Sequence, residues 1–427
     1  MRLFAAVVVV TAGGLTACTE DAPPLPPALQ GGTIEAPGCG YLVTSREGAE
    51  APLLADDHLG LDPTVRQVHL GLAADPRSNM VVMWRTADDD TRAGVVRHGV
   101  GGLTAETRAI TYMYQSGIGG LGTPVRVHEA HLCGLTAGTE YQYQIVSDEL
   151  HVSPLYTFRT APDITTDPDA EVIIANVGDS RDGFAVWAML VEQLRTRTPD
   201  LVLFSGDAVT IGPFQDEWDE FFTAGEPLLS QVPILSAHGN HEIHAINFYA
   251  QLAMPGEETN FSLDYGHAHI TVLDTSPPEL GDLTSSIQDF LRDDLAASSS
   301  ARWKLVNHHY GVYSASNHGS DPTLQAAWAP LYDRHHVDLV LTGHDHNYER
   351  TFPMNNLKVV PTPAEGTIYI VSGGAGASLY ASGTEAWTAF STSVHSALTL
   401  RIRNTMLQLD AFDPTGAPID TFTITKP

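Results

Sequence analysis

Five short apolar runs between residues 170 and 346 of this chain end the same way, in aspartate, asparagine or histidine. "AEVIIANVGD" closes on Asp179, "PDLVLFSGD" on Asp207 and "QVPILSAHGNHE" on Asn240 and His241; "RWKLVNHHYG" carries His308 and His309, and "VDLVLTGHDH" carries His344 and His346. Each run has the length of a strand and is apolar at successive positions, which places both faces of each strand against other layers. Helical spacing separates them. Phe184, Trp187, Leu190, Val191 and Leu194 fall on one helix face, and "FQDEWDEFFTAG" reads as a second helix. Covered strands alternating with helices predict an α/β/α sandwich, and the antiparallel-looking "NFSLDYGHAHITVLDTS" and strand-rich C-terminus make its sheet mixed. Ligands in such folds gather beyond the carboxyl ends of the strands, where all five polar endings fall.

A single aspartate after a strand is ordinarily a cap or a turn former. Histidine is not a preferred cap, so the repetition points to coordination. Oxygen and imidazole donors together suit Zn, Mn or Fe, whereas an all-oxygen set would suit Mg or Ca. The donors suffice for two ions, and a carboxylate can bridge a pair about 3.5–4 Å apart.

The first part of the chain has another period. "VRQVHLGLA", "NMVVMWRTA", "TPVRVHEAHLCGL" and "TEYQYQIVS" are strand-like, with Gly, Asp and Pro between them and no helix of ordinary length. They predict a small all-β sandwich over 55–162, similar at its end ("LYTFRTAP") to a fibronectin type III-like domain. Residues 163–170 read as a linker, and 171–427 as the α/β/α domain. Residues 1–17 have the form of an export signal, too short in its apolar run for a stable membrane span. "LTAC" resembles the lipobox of bacterial lipoproteins, which implies cleavage before a lipidated Cys18 and anchorage in a bacterial cell envelope. The Pro- and Gly-rich segment up to residue 54 then serves as a flexible tether. Cys39 and Cys133 either form a disulfide, which an exported chain permits, or remain as buried thiols. The 22 basic residues stand against 51 acidic ones, a formal charge of -29. Such a surface repels polyanions, so no nucleic-acid binding is expected; a small phosphate ester can still be held where a metal supplies positive charge.

Taken in order, "GD" at Asp179, "GDAVT" at Asp207, "GNHE" at Asn240, "VNHH" at His309 and "GHDH" at His344, with "NYER" after it, resemble the motif series of the calcineurin-like metallophosphoesterases. The purple acid phosphatase branch, which also carries an N-terminal fibronectin-like domain, is the most similar. The resemblance implies two divalent or mixed-valence transition-metal ions (Fe, Zn or Mn). Asp179 and His346 would hold the first ion, Asn240, His309 and His344 the second, and Asp207 would bridge them. Small phosphate esters are the implied substrates. Asn240 and His241 would contact the phosphate, His241 would assist the leaving group with Glu242 orienting it, and His318 would lie in the outer pocket.

Two positions depart from that pattern. Thr210 stands where the purple enzymes have a tyrosine, so a tyrosinate ligand and its violet colour are not expected. Arg181 stands where related cyclic-nucleotide phosphodiesterases have a histidine; it either faces the phosphate or makes a surface salt bridge. The expected function is phosphomonoester hydrolysis by metal-activated water. Its alternatives are a metallophosphodiesterase acting on cyclic nucleotides or other diesters, and a non-enzymatic surface binding protein with a vestigial metal site.

Overall fold

A computed structural model of the chain describes residues 33–36, 38–44, 59–91, 94–147, 150–256 and 258–427. The export signal and Cys18 lie outside the described residues. The stretch from 33 to 44, read in sequence as tether, instead forms a strand pair, Thr33–Glu35 with Leu42–Thr44. Its loop is pinned to the body by a Cys39–Cys133 disulfide, and the Asn79 amide donates to the Tyr41 hydroxyl at 2.8 Å. Among the described residues, no helix is long and apolar enough to cross a membrane.

Two four-stranded antiparallel sheets follow. One runs in the order Leu61–Gly71, Asn79–Asp88, Pro124–Cys133 and Ile110–Gln115; the other runs Tyr156–Arg159, Glu140–Val146, Val95–Gly99 and Ala105–Arg108. Glu140–Val146 shows why they stack: Tyr141, Tyr143 and Ile145 alternate with more exposed residues, so one face is apolar and seeks a partner sheet. Trp84 and Tyr143 are fully buried in the shared core. The sandwich is fastened to the next domain by tyrosines whose rings are buried while their hydroxyls find acceptors across the junction. Tyr143 donates to the Ser230 carbonyl at 2.5 Å, Tyr112 to the Ala250 carbonyl at 2.5 Å and Tyr114 to Gln215 Oε1 at 2.7 Å.

The second domain has four layers. One mixed sheet is ordered Ile234–Ser236, Leu201–Phe204, Val172–Val177, Ala397–Arg403, Met406–Phe412, Pro418–Thr425, its first three strands parallel. The other runs Phe261–Tyr265, Ala268–Val272, Trp303–Asn307, Leu339–Thr342, Ile368–Ser372, Tyr348–Thr351, Thr388–Thr392, with its four strands from Ala268–Val272 to Ile368–Ser372 parallel. The helix Phe184–Arg195 buries Trp187, Leu190, Val191 and Leu194 and packs with Gln215–Leu229 over the first sheet. On the outer side of the second sheet, Leu291 and Tyr332 from two helices and Trp328, at the junction of Pro322–Ala327 and Ala329–His335, cover Val340 and Tyr369. Sequence predicts a single mixed sheet. Doubly covered strands read alike whether a helix or another sheet lies above them, which is why the division into two is invisible there.

Between the sheets, directly below the polar strand ends, the core turns polar. Asn176 Nδ2 donates to Ser205 Oγ at 2.9 Å, Ser205 Oγ to Asn307 Oδ1 at 2.7 Å, and Asn307 Nδ2 to the Phe204 carbonyl at 3.1 Å. This fully buried cluster fixes the offset of one sheet on the other, because sliding would strand each member without a partner.

Candidate metal centre

The parallel strands of both sheets open into one cleft. Three of the residues that leave them have left-handed backbones: Asp179 (φ 64°), Asp207 (φ 56°) and His344 (φ 67°). That conformation costs about 1 kcal/mol in a non-glycine residue and recurs at functional sites. Here it turns each chain sharply at its strand end and aims the side chain inward. Glycines allow the approach: a Cβ on Gly239 would stand 2.3 Å from Asp207 Oδ1, and one on Gly343 would stand 2.3 Å from Asp179 Oδ2.

Asp207 is the hub. Its Oδ2 lies 3.3 Å from His309 Nε2, 3.6 Å from Arg181 Nε and 3.8 Å from His241 Nε2, while Oδ1 accepts the His241 amide at 3.0 Å. His309 Nδ1 lies 2.7 Å from the Ser205 carbonyl, which can only accept. Nε2 is thereby presented to Asp207 Oδ2 and, at 3.1 Å, to Asn240 Oδ1. His346 is oriented by the same device: Nδ1 donates to the Ser378 carbonyl at 2.8 Å and Nε2 faces Asp179 Oδ1 at 3.6 Å. These carbonyls are the acceptors that a ligand imidazole needs for its far nitrogen. His344 donates its amide to both oxygens of Asp179, at 3.1 and 3.0 Å, and its ring sits 5.0 Å from that of His309.

Burial would raise the Asp207 carboxyl, but the neighbouring His309 outweighs it and leaves the group well below the ordinary range. Burial would lower His309, and Asp207 reverses that, raising it to about 10. Asp179, fully buried and close to the Asp207 charge, is pushed well above the usual value despite His309. Burial lowers His344 to about 2 and His346 to about 4, so both are neutral imidazoles with a lone pair to offer. The donor atoms of Asp207, His309 and His344 lie within 4.8 Å of one another, and Asn240 closes the group: four donors fit one transition-metal ion. For a second ion the set is shorter, consisting of Asp179, His346 and shared Asp207. The Thr210 hydroxyl donates instead to Asp182 Oδ1 at 2.9 Å.

His241 stands beside the cluster, half-buried. Its Nδ1 lies 2.6 Å from the Thr210 carbonyl and must be the donor, which leaves Nε2 facing the cleft. Sequence assigns the orientation of His241 to Glu242, but the side chain of Glu242 is used otherwise. It is fully buried and accepts the amides of Asp207 at 3.0 Å, Ala208 at 2.7 Å and Gly239 at 2.8 Å, binding two ligand loops together. Burial and the nearby Asp207 charge raise its carboxyl to about 7. The exposed His318 ring stacks on His344 with centroids 4.0 Å apart, at the rim of the cleft, and its amide donates to Asp345 Oδ1 at 2.9 Å. Arg181 Nη2 points inward, to 3.3 Å from His346 Nε2, while its Nη1 lies 3.9 Å from the exposed carboxylate of Asp182. His308, next to the ligand His309, is buried away from the cleft against Trp328 and Tyr332.

The sequence reading passed over His238, His244 and Asp274, which lie together behind the Gly239–Glu242 turn. The two rings stack at 3.9 Å, and His244 Nε2 lies 3.3 Å from Asp274 Oδ2. Since His238 Nε2 accepts the His244 amide at 3.0 Å and His244 Nε2 meets the Ser276 carbonyl at 2.9 Å, the nitrogens facing Asp274 carry protons. The trio braces the turn by hydrogen bonding.

Comparison with known proteins agrees with this geometry. Residues 172–348 match the family Calcineurin-like phosphoesterase, and residues 65–160 match Purple acid Phosphatase, N-terminal domain. An uncharacterized protein of Mycobacterium tuberculosis is 27% identical over 383 residues, covering 74% of this chain and 70% of its own length. Purple acid phosphatase 22 of Arabidopsis thaliana is 27% identical over 348 residues, 75% of this chain and 74% of its own. Among solved structures, purple acid phosphatase PPD1 from yellow lupin (Lupinus luteus) seeds superposes with a TM-score of 0.72 at 21% identity, covering 85% of this chain and 74% of that one. It establishes the shared fold.

Proposed function

From a chain that joins a calcineurin-like phosphoesterase domain to a purple acid phosphatase N-terminal domain, we propose a metal-dependent hydrolase of small phosphate monoesters. The observation that carries this reading is the convergence of Asp207, Asn240, His309 and His344, with the cationic or protonatable groups of Arg181 and His241 beside them. Asp207, Asn240, His309 and His344 would hold a transition-metal ion (Fe, Zn or Mn); bound there, it would supply Lewis acidity and a water of lowered pKa. The chain's own groups do the rest. Arg181 offers fixed charge and N–H donors to phosphoryl oxygens, and the imidazole of His241, held by Thr210, can pass a proton from Nε2 to the departing alkoxide. A dianionic monoester gains more from this concentration of positive groups than a monoanionic diester does, which favours the monoester.

The role of His241 gives the test. His241→Ala leaves metal content unchanged and slows phenyl phosphate about tenfold more than p-nitrophenyl phosphate, because an activated leaving group needs little protonation. Metal analysis alongside kcat/KM for both esters reads the result. Equal slowing of the two would assign His241 to phosphate positioning alone. Failure of the parent protein to hydrolyse any phosphate ester would overturn the reading.

A further inference from the structure

We propose that the Arg181 guanidinium occupies the first-metal position as a built-in cation, so that the centre binds a single metal ion through Asp207, Asn240, His309 and His344. The inference rests on the reading of the cleft as a phosphoesterase centre. Its starting point is a lone pair. His346 Nδ1 is committed to the Ser378 carbonyl, so Nε2 is the one ring nitrogen that could bind an ion. Arg181 Nη2 stands 3.3 Å from it. A guanidinium only donates, so His346 Nε2 accepts from arginine, and its coordinating electron pair is already engaged.

The neighbouring atoms agree. Arg181 Nε is buried without a hydrogen-bond partner and lies 3.6 Å from Asp207 Oδ2, the oxygen that would bridge two ions. The Arg181 amide reaches the Asp207 carbonyl at 3.4 Å, which holds the arginine backbone against the bridge residue. The Thr210 hydroxyl donates to Asp182, and its carbonyl is taken up by His241 Nδ1. What is left for a first ion is Asp179, whose two oxygens share the His344 amide, and Asp207 Oδ2, which Arg181 Nε already faces. The second position is the opposite case. His309 Nε2, Asn240 Oδ1 at 3.1 Å and Asp207 Oδ2 at 3.3 Å converge with His344 into a set that can surround a metal ion, with no guanidinium among the described residues hydrogen-bonded to their ring nitrogens. Arginine in the first position supplies permanent charge and a planar fork of donors for a phosphoryl oxygen, but no coordinated water.

Metal content and the electron paramagnetic resonance spectrum of the full chain, loaded with Mn(II) after chelation, test this directly. About one ion per chain is expected, with the hyperfine spectrum of an isolated Mn(II). Arg181→His places an imidazole two residues after Asp179; the content then rises to about two ions per chain and the spectrum becomes that of a spin-coupled pair. Arg181→Ala is read the same way should Arg181→His fail to fold. Two coupled ions in the parent protein would overturn the proposal, as would a single ion retained in both folded variants. Absence of esterase activity with one bound ion would count against the proposed function and leave this inference standing.

Discussion

Asp207→Asn lowers kcat/KM for p-nitrophenyl phosphate by about three orders of magnitude, about 4 kcal/mol of transition-state stabilisation, and releases the metal. The size follows from what meets at one oxygen. Asp207 Oδ2 is within 4 Å of His309, Arg181 and His241, so a single neutral amide removes the counter-charge of all three at once. An amide must also turn either its oxygen or its NH2 toward a cluster that contains three fixed or protonatable donors. Inductively coupled plasma analysis with steady-state kinetics checks the prediction. Full metal content with near-parental activity would show that the charge of Asp207 is dispensable.

Glu242→Ala has the largest expected effect on stability, about 3–5 kcal/mol, with loss of metal affinity as a consequence. Its carboxylate accepts three backbone amides in a place with no exposure to solvent, and alanine leaves all three without a partner. Two of those amides belong to Asp207 and its neighbour Ala208, and the third to Gly239, one residue before Asn240. The ligand loops therefore lose the tie that sets their separation. Glu242→Gln, which keeps one acceptor oxygen, falls between parent and alanine. Chemical denaturation of the three proteins gives the order. Equal midpoints for parent and Glu242→Ala would mean that the loops are held by other contacts, such as the His238–His244–Asp274 brace.

The candidate ligands stand out in the sequence because the physics that builds such strand ends leaves a periodic trace: apolar runs covered on both faces, each ending abruptly in a donor. That they lie at one end of the fold was legible too, since ligands gather beyond the carboxyl ends of parallel strands, here those of two sheets that open into the same cleft. The partition of the strands into two sheets was not, because burial by a sheet and by a helix select the same residues. Nor were the acceptors that orient His241, His309 and His346. All are backbone carbonyls, of Thr210, Ser205 and Ser378, and a carbonyl carries no side-chain signature. Glu242 was read as a partner of its neighbour His241, whereas its geometry serves amides as far as 35 residues away. The strand pair at 33–44 was hidden by Pro- and Gly-rich surroundings, and the disulfide that secures it joins residues 94 apart. Arg181 could be placed beside the centre by its position after Asp179, yet its inward direction became visible only with the His346 ring in place.

The central claim, metal-dependent hydrolysis of phosphate monoesters, is tested most directly by paired assays on chelated and metal-reconstituted protein with p-nitrophenyl phosphate and bis(p-nitrophenyl) phosphate. Chelation is expected to abolish monoester hydrolysis, Zn, Mn or Fe to restore it, and kcat/KM for the monoester to exceed that for the diester by at least about tenfold. A diester preference after reconstitution, or monoester hydrolysis that survives complete removal of metal, would contradict that claim.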